Sequence, residues 1–349
     1  MATADRAGRG PAARLPLTDL LNLCAAPLLE LGAPPPVAEA VAAHLVDAEV
    51  LGHTGHGLLL LPSLVRDVRT GRIDPGATPH TVHDGASLTT DLRGGFAQYG
   101  LAGVVDHAVG VATRDGQCLV RLRGLRNSGR LGAYVERAAT AGTAALLVTG
   151  SAWDEEDATV ATAGAHGRVL GTNPMAFAAP AGDRPLVVDL ATSATTMGRV
   201  RLGRVAGGTV DPGAVLDRQG RPSTAPADFY SGGAIAPLAG HKGTALALLV
   251  AALSALAGDN SPQGRLGGGL LLVLATGPDE AGRDDYRTAV GAAVDRLRDQ
   301  APTTAGRPVR TPGQDHAALR RRARAEGLAV PGAVLDELQR LGGVSGWIS

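Results

Sequence analysis

Lysine is almost missing from this chain: of 33 basic residues one, Lys242, is lysine, and the rest are arginine. Aromatic residues make up only 3%, so a core must be filled with alanine, valine and leucine. Two cysteines, Cys24 and Cys118, lie far apart in apolar segments. They exclude a disulfide framework and suggest two buried thiols in a reducing, cytoplasmic setting. Charge of either sign is not in excess, with a formal net charge of zero, so nothing electrostatic favours nucleic acid or an anionic membrane. The longest apolar stretch, residues 244–257, falls short of the ~20 residues of a membrane span. The opening "MATADRAGRGPAARLP" has no apolar h-region, so a short disordered arm over 1–15 is expected and not a secretory signal.

What is present is ample: 349 residues, 44% of them hydrophobic, more than a single core usually holds. The first third reads as helix. "PLTDLLNLCAAPLLELG" places Thr18 as a candidate N-cap and Gly32 as a stop, and "PPPVAEAVAAHLVDAEVLG" repeats the format with proline at entry and Gly52 at exit. A third helical segment runs from about Leu58 to Arg72. From residue 86 strands alternate with short helices: "SLTTDLR", "QCLVRLRG", "TAALLVTG", "MAFAAP", "PLVVDLA" and "GLLLVLAT" read as strands. "GAVLDRQGRPSTAPADF" reads as loop, and the tail as a basic helix, a turn and an amphipathic helix. The pattern indicates an α/β core.

The 49 glycines invite a search for nucleotide fingerprints, but no G-x-G-x-x-G follows a strand and no Walker A sequence occurs. His53 with His56, and His80 with His83, are spaced three apart. Neither pair has the further ligands that zinc requires, and no metal is expected. No G-x-S-x-G elbow supports a hydrolase. "RRRARAE" near the end reads as a solvated helical face in preference to a phosphate site.

There remains a series of short polar motifs at loop ends: "GHTGHG", "LRNSGRLG", "VTGS", "LGTNPMAFAAP", "VVDLATS" and "AGHKG". In order and spacing they resemble the type-2 malate/lactate dehydrogenase family, which includes ureidoglycolate and sulfolactate dehydrogenases and cyclic-imine reductases. The resemblance covers essentially the whole chain after the arm. It implies a non-Rossmann α/β fold: a mainly helical lobe from 16–85 plus 301–349 around an inserted α/β cofactor-binding domain, 86–300. It further implies a homodimer and NAD or NADP as cofactor, held by Ser151, by Asp189, Leu190 and Ala191, and by Lys242 of the "KG" motif. The chemistry agrees, because a dinucleotide's phosphates and riboses call for a cationic donor and a carboxylate acceptor.

On the substrate side the chain departs from the family. The family's Ser-His-Gly, followed three residues on by a carboxylate-binding arginine, is here "GHGLLLLP", with Gly55 for serine and Leu60 for arginine. In "NSGRLG", Arg130 stands where the family carries its expected proton-transfer histidine, and a guanidinium cannot act as a general base. His56 is therefore expected to handle the proton and Arg130 to orient or polarise the substrate. His53, Asn127, Ser128 and Arg265 are further substrate-side candidates, and residues 58–61 are expected to line an apolar pocket wall. The implied activity is hydride transfer between nicotinamide and a 2-oxo/2-hydroxy acid or a cyclic imine of specialised metabolism. The competing expectation is a family fold that has lost redox chemistry and serves as a non-redox catalyst, such as a cyclase, or as a binding protein.

Overall fold

The computed structural model describes residues 13–150, 158–258, 267–301 and 308–341. β1 (Ala13–Leu15) precedes α1 (Leu17–Glu30) and α2 (Pro35–Val50), then a 3-10 turn over Leu58–Leu60 and α3 (Leu61–Arg69). β2 (His80–Asp84) and β3 (Ser87–Asp91) form a hairpin, and α4 (Ala97–Asp115) carries the chain to β4 (Gln117–Leu125). α5 (Gly132–Thr140), β5 (Thr143–Gly150), β6 (Val160–Ala161), β7 (Arg168–Leu170), β8 (Met175–Ala179) and β9 (Leu186–Leu190) follow. Next come α6 (Met197–Ala206), β10 (Val215–Leu216), β11 (Pro222–Ser223), α7 (Pro226–Tyr230), β12 (Ala234–Ile235) and α8 (His241–Ala255). β13 (Gly267–Ala275), α9 (Glu280–Arg298), α10 (His316–Glu326), β14 (Leu328–Val330) and α11 (Gly332–Gln339) end the described part.

The main sheet has seven strands in the order β2-β3-β4-β13-β5-β8-β9. Only β3 and β4 run parallel, joined by the α4 crossover; every other neighbouring pair is antiparallel. The core strands β5 and β13 are nearly continuous runs of apolar residues because helices cover the sheet. A smaller sheet, β11-β10-β12-β6-β7, draws its short strands from stretches that read as loop, including the glycine- and proline-rich segment after α6. Two-residue strands carry no periodicity, so backbone pairing across the chain defines them.

Three apolar clusters organise the packing. One joins α1, α2, α3 and the 3-10 leucines to residues of α10, β14 and α11, more than 250 positions away in sequence. A second sandwiches α4 and α5 against the main sheet, and a third lies under α6 and α8 around Val200, Phe229 and Ala247. α1 begins at Leu17 with Pro16 at its cap, so Thr18 is inside the helix and not its N-cap. Ala13–Leu15, expected within a disordered arm, pair antiparallel with Leu328–Val330. His80 and His83 sit at opposite-facing positions of β2, and no group of three potential metal ligands occurs among the described residues.

Candidate active site

The loop after α2 is built by its own hydrogen bonds. The His53 N–H donates to the Ala48 carbonyl at 2.8 Å and the His56 N–H to the His53 carbonyl at 2.8 Å. At its far end the Leu58 N–H donates to Glu49 Oε2 at 2.9 Å. Burial pushes Glu49 above the ordinary carboxyl range, opposed by that N–H. Gly55 rests against Gly198 of α6: a Cβ at residue 55 would lie 2.5 Å from the Gly198 Cα. This contact accounts physically for glycine where the family carries serine, since two side-chain-free residues let the loop and the helix touch backbone to backbone.

His53 and His56 are each partly open, and so is Asp189 at the end of β9. Asp189 is held by the Gly132 N–H, which donates to Oδ2 at 2.7 Å. Burial lowers His53 to about 4, helped by the Arg130 charge and opposed by Asp189. Burial likewise lowers His56, with Asp189 the largest opposing influence and Arg130 adding to the depression. The structure thus brings the two histidines and Asp189 into one electrostatic unit. Its imidazoles are neutral near pH 7, and its carboxylate stabilises either as an imidazolium.

Arg130 lies directly behind this unit and is 1% exposed. Its Nη2 donates to Glu136 Oε2 at 3.0 Å and lies 3.5 Å from Asp47. Arg320 of α10 completes the cluster with bonds to Asp47 at 2.6 and 2.9 Å and to Glu136 at 2.7 and 2.9 Å, and His316 Nδ1 lies 3.1 Å from Glu136. Burial alone would raise Glu136, but hydrogen bonds from His316 and Arg320 overcome it and hold the carboxyl well below its ordinary range. The Arg130 backbone N–H donates to His44 Nε2 at 2.9 Å. That imidazole is accordingly neutral, its pKa lowered to about 3 by burial and by the Arg130 charge. The Arg130 Nε and Nη1 groups are buried without a hydrogen-bond partner. Enclosed on all sides, the guanidinium offers no open face to a substrate in this conformation.

A second feature borders Asp189 through the chain that follows it. Leu238 N–H donates to the Thr192 carbonyl at 2.9 Å, and Gly243 packs so tightly on Leu238 and Thr192 that a Cβ there would overlap both backbones. The turn into α8 passes through left-handed φ at Ala239 (48°) and Gly240 (66°), and no side chain caps the helix. Its first turn, with His241 and Lys242 exposed, therefore presents uncapped N–H groups beside a cationic side chain, a donor set suited to phosphate. Leu190 and Ala191 are partly open beside it.

Of the remaining expected residues, Ser151 and Arg265 lie outside the described residues. Asn127 is exposed; its Oδ1 accepts the Gly129 N–H at 3.3 Å, and the Ser128 carbonyl accepts the Tyr134 hydroxyl at 2.7 Å. Leu58–Leu61 do not form a pocket wall: all four are buried in the helical cluster, Leu60 at 4% exposure. "RRRARAE" is not wholly a solvated face, because Arg320 turns inward to Asp47 and Glu136. His44, Asp47, Glu136 and His316 were not singled out in the sequence. They come from three separate helices, and no local spacing signals their meeting.

A family model described as "Malate/L-lactate dehydrogenase" matches residues 15–339. The chain is 34% identical over 334 residues to a (2R)-3-sulfolactate dehydrogenase (NADP(+)) of Chromohalobacter salexigens, covering 93% of this chain and 96% of that one. It is 33% identical over 343 residues to a Δ1-pyrroline-2-carboxylate reductase of Ancylobacter novellus, covering 94% and 97%. The solved structure of a dehydrogenase from Sinorhizobium meliloti superposes with a TM-score of 0.83 at 30% identity, covering 95% and 98%.

Proposed function

The chain belongs to the malate/L-lactate dehydrogenase family and is an oxidoreductase, and from that premise we propose that it is an NAD(P)-dependent enzyme moving hydride between nicotinamide and a 2-oxo/2-hydroxy acid or cyclic imine carboxylate. The observation that carries the reading is the joining of two donor sets through residues 189–192: His53, His56 and Asp189 on one side, the uncapped α8 entrance with Lys242 on the other.

The residues fit a dinucleotide. Lys242 and the first-turn N–H groups of α8 suit phosphate, and Asp189, Leu190 and Ala191 are partly open at the end of β9; Ser151 is assigned to the cofactor by family resemblance. Bound there, the nicotinamide would supply or accept the hydride. His56 would move the proton. Neutral at pH 7, it accepts one from a 2-hydroxy acid, and Asp189 stabilises the imidazolium formed. In the opposite direction the imidazolium returns that proton to oxygen or nitrogen, and an imine already protonated needs less of it. Arg130, enclosed, would set the electrostatics of His53 and His56 from behind, while Asn127 and Ser128 edge the substrate side.

We assign the helical cluster of residues 20–73 and 323–338 to one lobe around an inserted α/β domain, a non-Rossmann arrangement supported by a main sheet in which only β3 and β4 run parallel. A homodimer is proposed from α8, whose Ala245, Leu248, Leu249 and Ala252, with Leu256 at its C-terminal cap, form an outward stripe at helical spacing, the three leucines being 52%, 49% and 58% exposed. The buried, unpaired Cys24 and Cys118 accord with a cytoplasmic setting.

The test is titration of NADH and NADPH into wild-type protein and Lys242→Ala, followed by fluorescence. Binding of one cofactor, weakened about tenfold or more by the substitution, is expected. No binding of either would leave only the non-redox alternative.

A further inference from the structure

We propose that Arg201 of α6 is the anchor for the substrate carboxylate, standing in for the arginine that this chain lacks at residue 60. The inference rests on the oxidoreductase reading above and adds to it the residue that selects an anionic substrate.

Two of the positions from which an arginine was expected to meet the substrate are closed, and the third, Arg265, lies outside the described residues. Leu60 is apolar and packed in the helical core, and the Arg130 guanidinium is buried against Glu136 and Asp47. Arg201 reaches the same place from the opposite element. Its Nη1 donates to the carbonyl of Leu59 at 2.9 Å, one residue from Leu60. α6 is pressed onto the histidine loop by the Gly55–Gly198 contact, one helical turn before Arg201. Side chains on a helix lean toward its N-terminus, so the Arg201 stem runs back toward that contact and hence toward His56.

The rest of the guanidinium is uncommitted. Among the described residues, the Leu59 carbonyl is the one hydrogen-bond acceptor of Arg201, no carboxylate pairs with it, and the side chain is partly open. The neighbouring cation on the same helix, Arg199, is exposed and lies 3.5 Å from Asp211. One N–H of Arg201 is therefore spent fixing the fork against the loop, while Nε and Nη2 remain for an anion, the geometry that suits arginine to bidentate carboxylate binding. Gly55 and Leu60 on the loop and Arg201 on α6 read as one rearrangement. Loss of the serine side chain let the helix approach, and the approach brought a cation from outside the motif.

The experiment compares wild type with Arg201→Lys and Arg201→Gln. Each is assayed with NADPH and NADH on pyruvate and Δ1-pyrroline-2-carboxylate and on their uncharged carboxamides, and each is titrated calorimetrically with oxalate. Glutamine keeps a polar side chain but carries no charge; lysine keeps the charge. Expected are a KM increase on the order of 10- to 100-fold for the carboxylates in Arg201→Gln, partial recovery in Arg201→Lys, little change for the carboxamides, matching loss of oxalate affinity and unchanged nicotinamide binding. A carboxylate KM and oxalate affinity preserved in Arg201→Gln would overturn the proposal and leave Arg201 a strut on the loop. If the wild type reduces none of the compounds, the oxidoreductase reading fails on its own. Oxalate affinity lost in Arg201→Gln then still supports the anchor, and equal affinity overturns it.

Discussion

Replacing Glu136 by glutamine removes one charge from the middle of the cluster behind the histidines and leaves its shape almost unaltered. Glu136 accepts from Arg130 at 3.0 Å and from Arg320 at 2.7 and 2.9 Å, and it lies 3.1 Å from His316. In the variant, Arg320 keeps its bidentate pair with Asp47, but Arg130, fully enclosed, is left with Asp47 at 3.5 Å as its one remaining ion pair among the described residues. Breaking a buried pair from one side costs about 3–5 kcal/mol. Arg320 is a quarter exposed, so the lower figure applies. For a chain of this size, at about 2 °C per kcal/mol, Tm should fall by roughly 6 °C at pH 7.

The pH dependence sharpens the test. The Glu136 carboxyl is held below its unfolded value, so its contribution is fully present above about pH 4.3 and is lost as pH falls toward the folded value. The gap between wild type and Glu136→Gln should hold from pH 7 to about 5 and narrow toward pH 3. His44, neutral when folded with a pKa of about 3, destabilises both proteins as pH falls below about 6.5 and cancels from the difference. Differential scanning fluorimetry across this range is the assay. A gap under about 2 °C at pH 7, or one that does not change with pH, would refute the account of the cluster.

Four further outcomes are expected. Gly55→Ser, which restores the family's residue, forces a Cβ to 2.5 Å from the Gly198 Cα and should lower stability by about 1–3 kcal/mol; thermal unfolding no lower than wild type would mean that the loop and α6 separate easily. The double substitution Leu248→Glu with Leu249→Glu, on the outward face of α8, should yield monomers in sedimentation analysis while far-ultraviolet circular dichroism stays unchanged. For oxidation of a 2-hydroxy acid, kcat/KM should fall on the acid side with a midpoint below about 6.5, because burial and the Arg130 charge favour neutral His56. His56→Gln should cut kcat by about 10²- to 10⁴-fold, and an acid limb centred above pH 7 would assign the proton to another group.

Much of this protein was legible in the chain itself. Helices α1 and α2 follow from apolar spacing, a proline entry and terminal glycines, and the runs "QCLVRLRG", "TAALLVTG" and "GLLLVLAT" became the central strands β4, β5 and β13, because both signals are local and repeat at the period of the element they form. The family, too, was written in the order of its loop motifs, and with it the dehydrogenase and reductase chemistry that relatives across almost the whole chain carry in their names. Lys242 stood out by composition alone.

Tertiary structure decided the rest, because contact between distant segments has no period. Arg130 reads in sequence as a cation free to meet a substrate; only the arrival of Asp47 from α2, Glu136 from α5 and Arg320 from α10 encloses it. Leu58–Leu61 read as a pocket wall until residues from the far end of the chain pack over them. Gly55 looked like a lost serine, and its reason is a helix 143 positions later that needs the space. The alphabet of the site was visible in order along the chain. Which charges face one another, and which are enclosed, was settled by the burial that folding imposes on them.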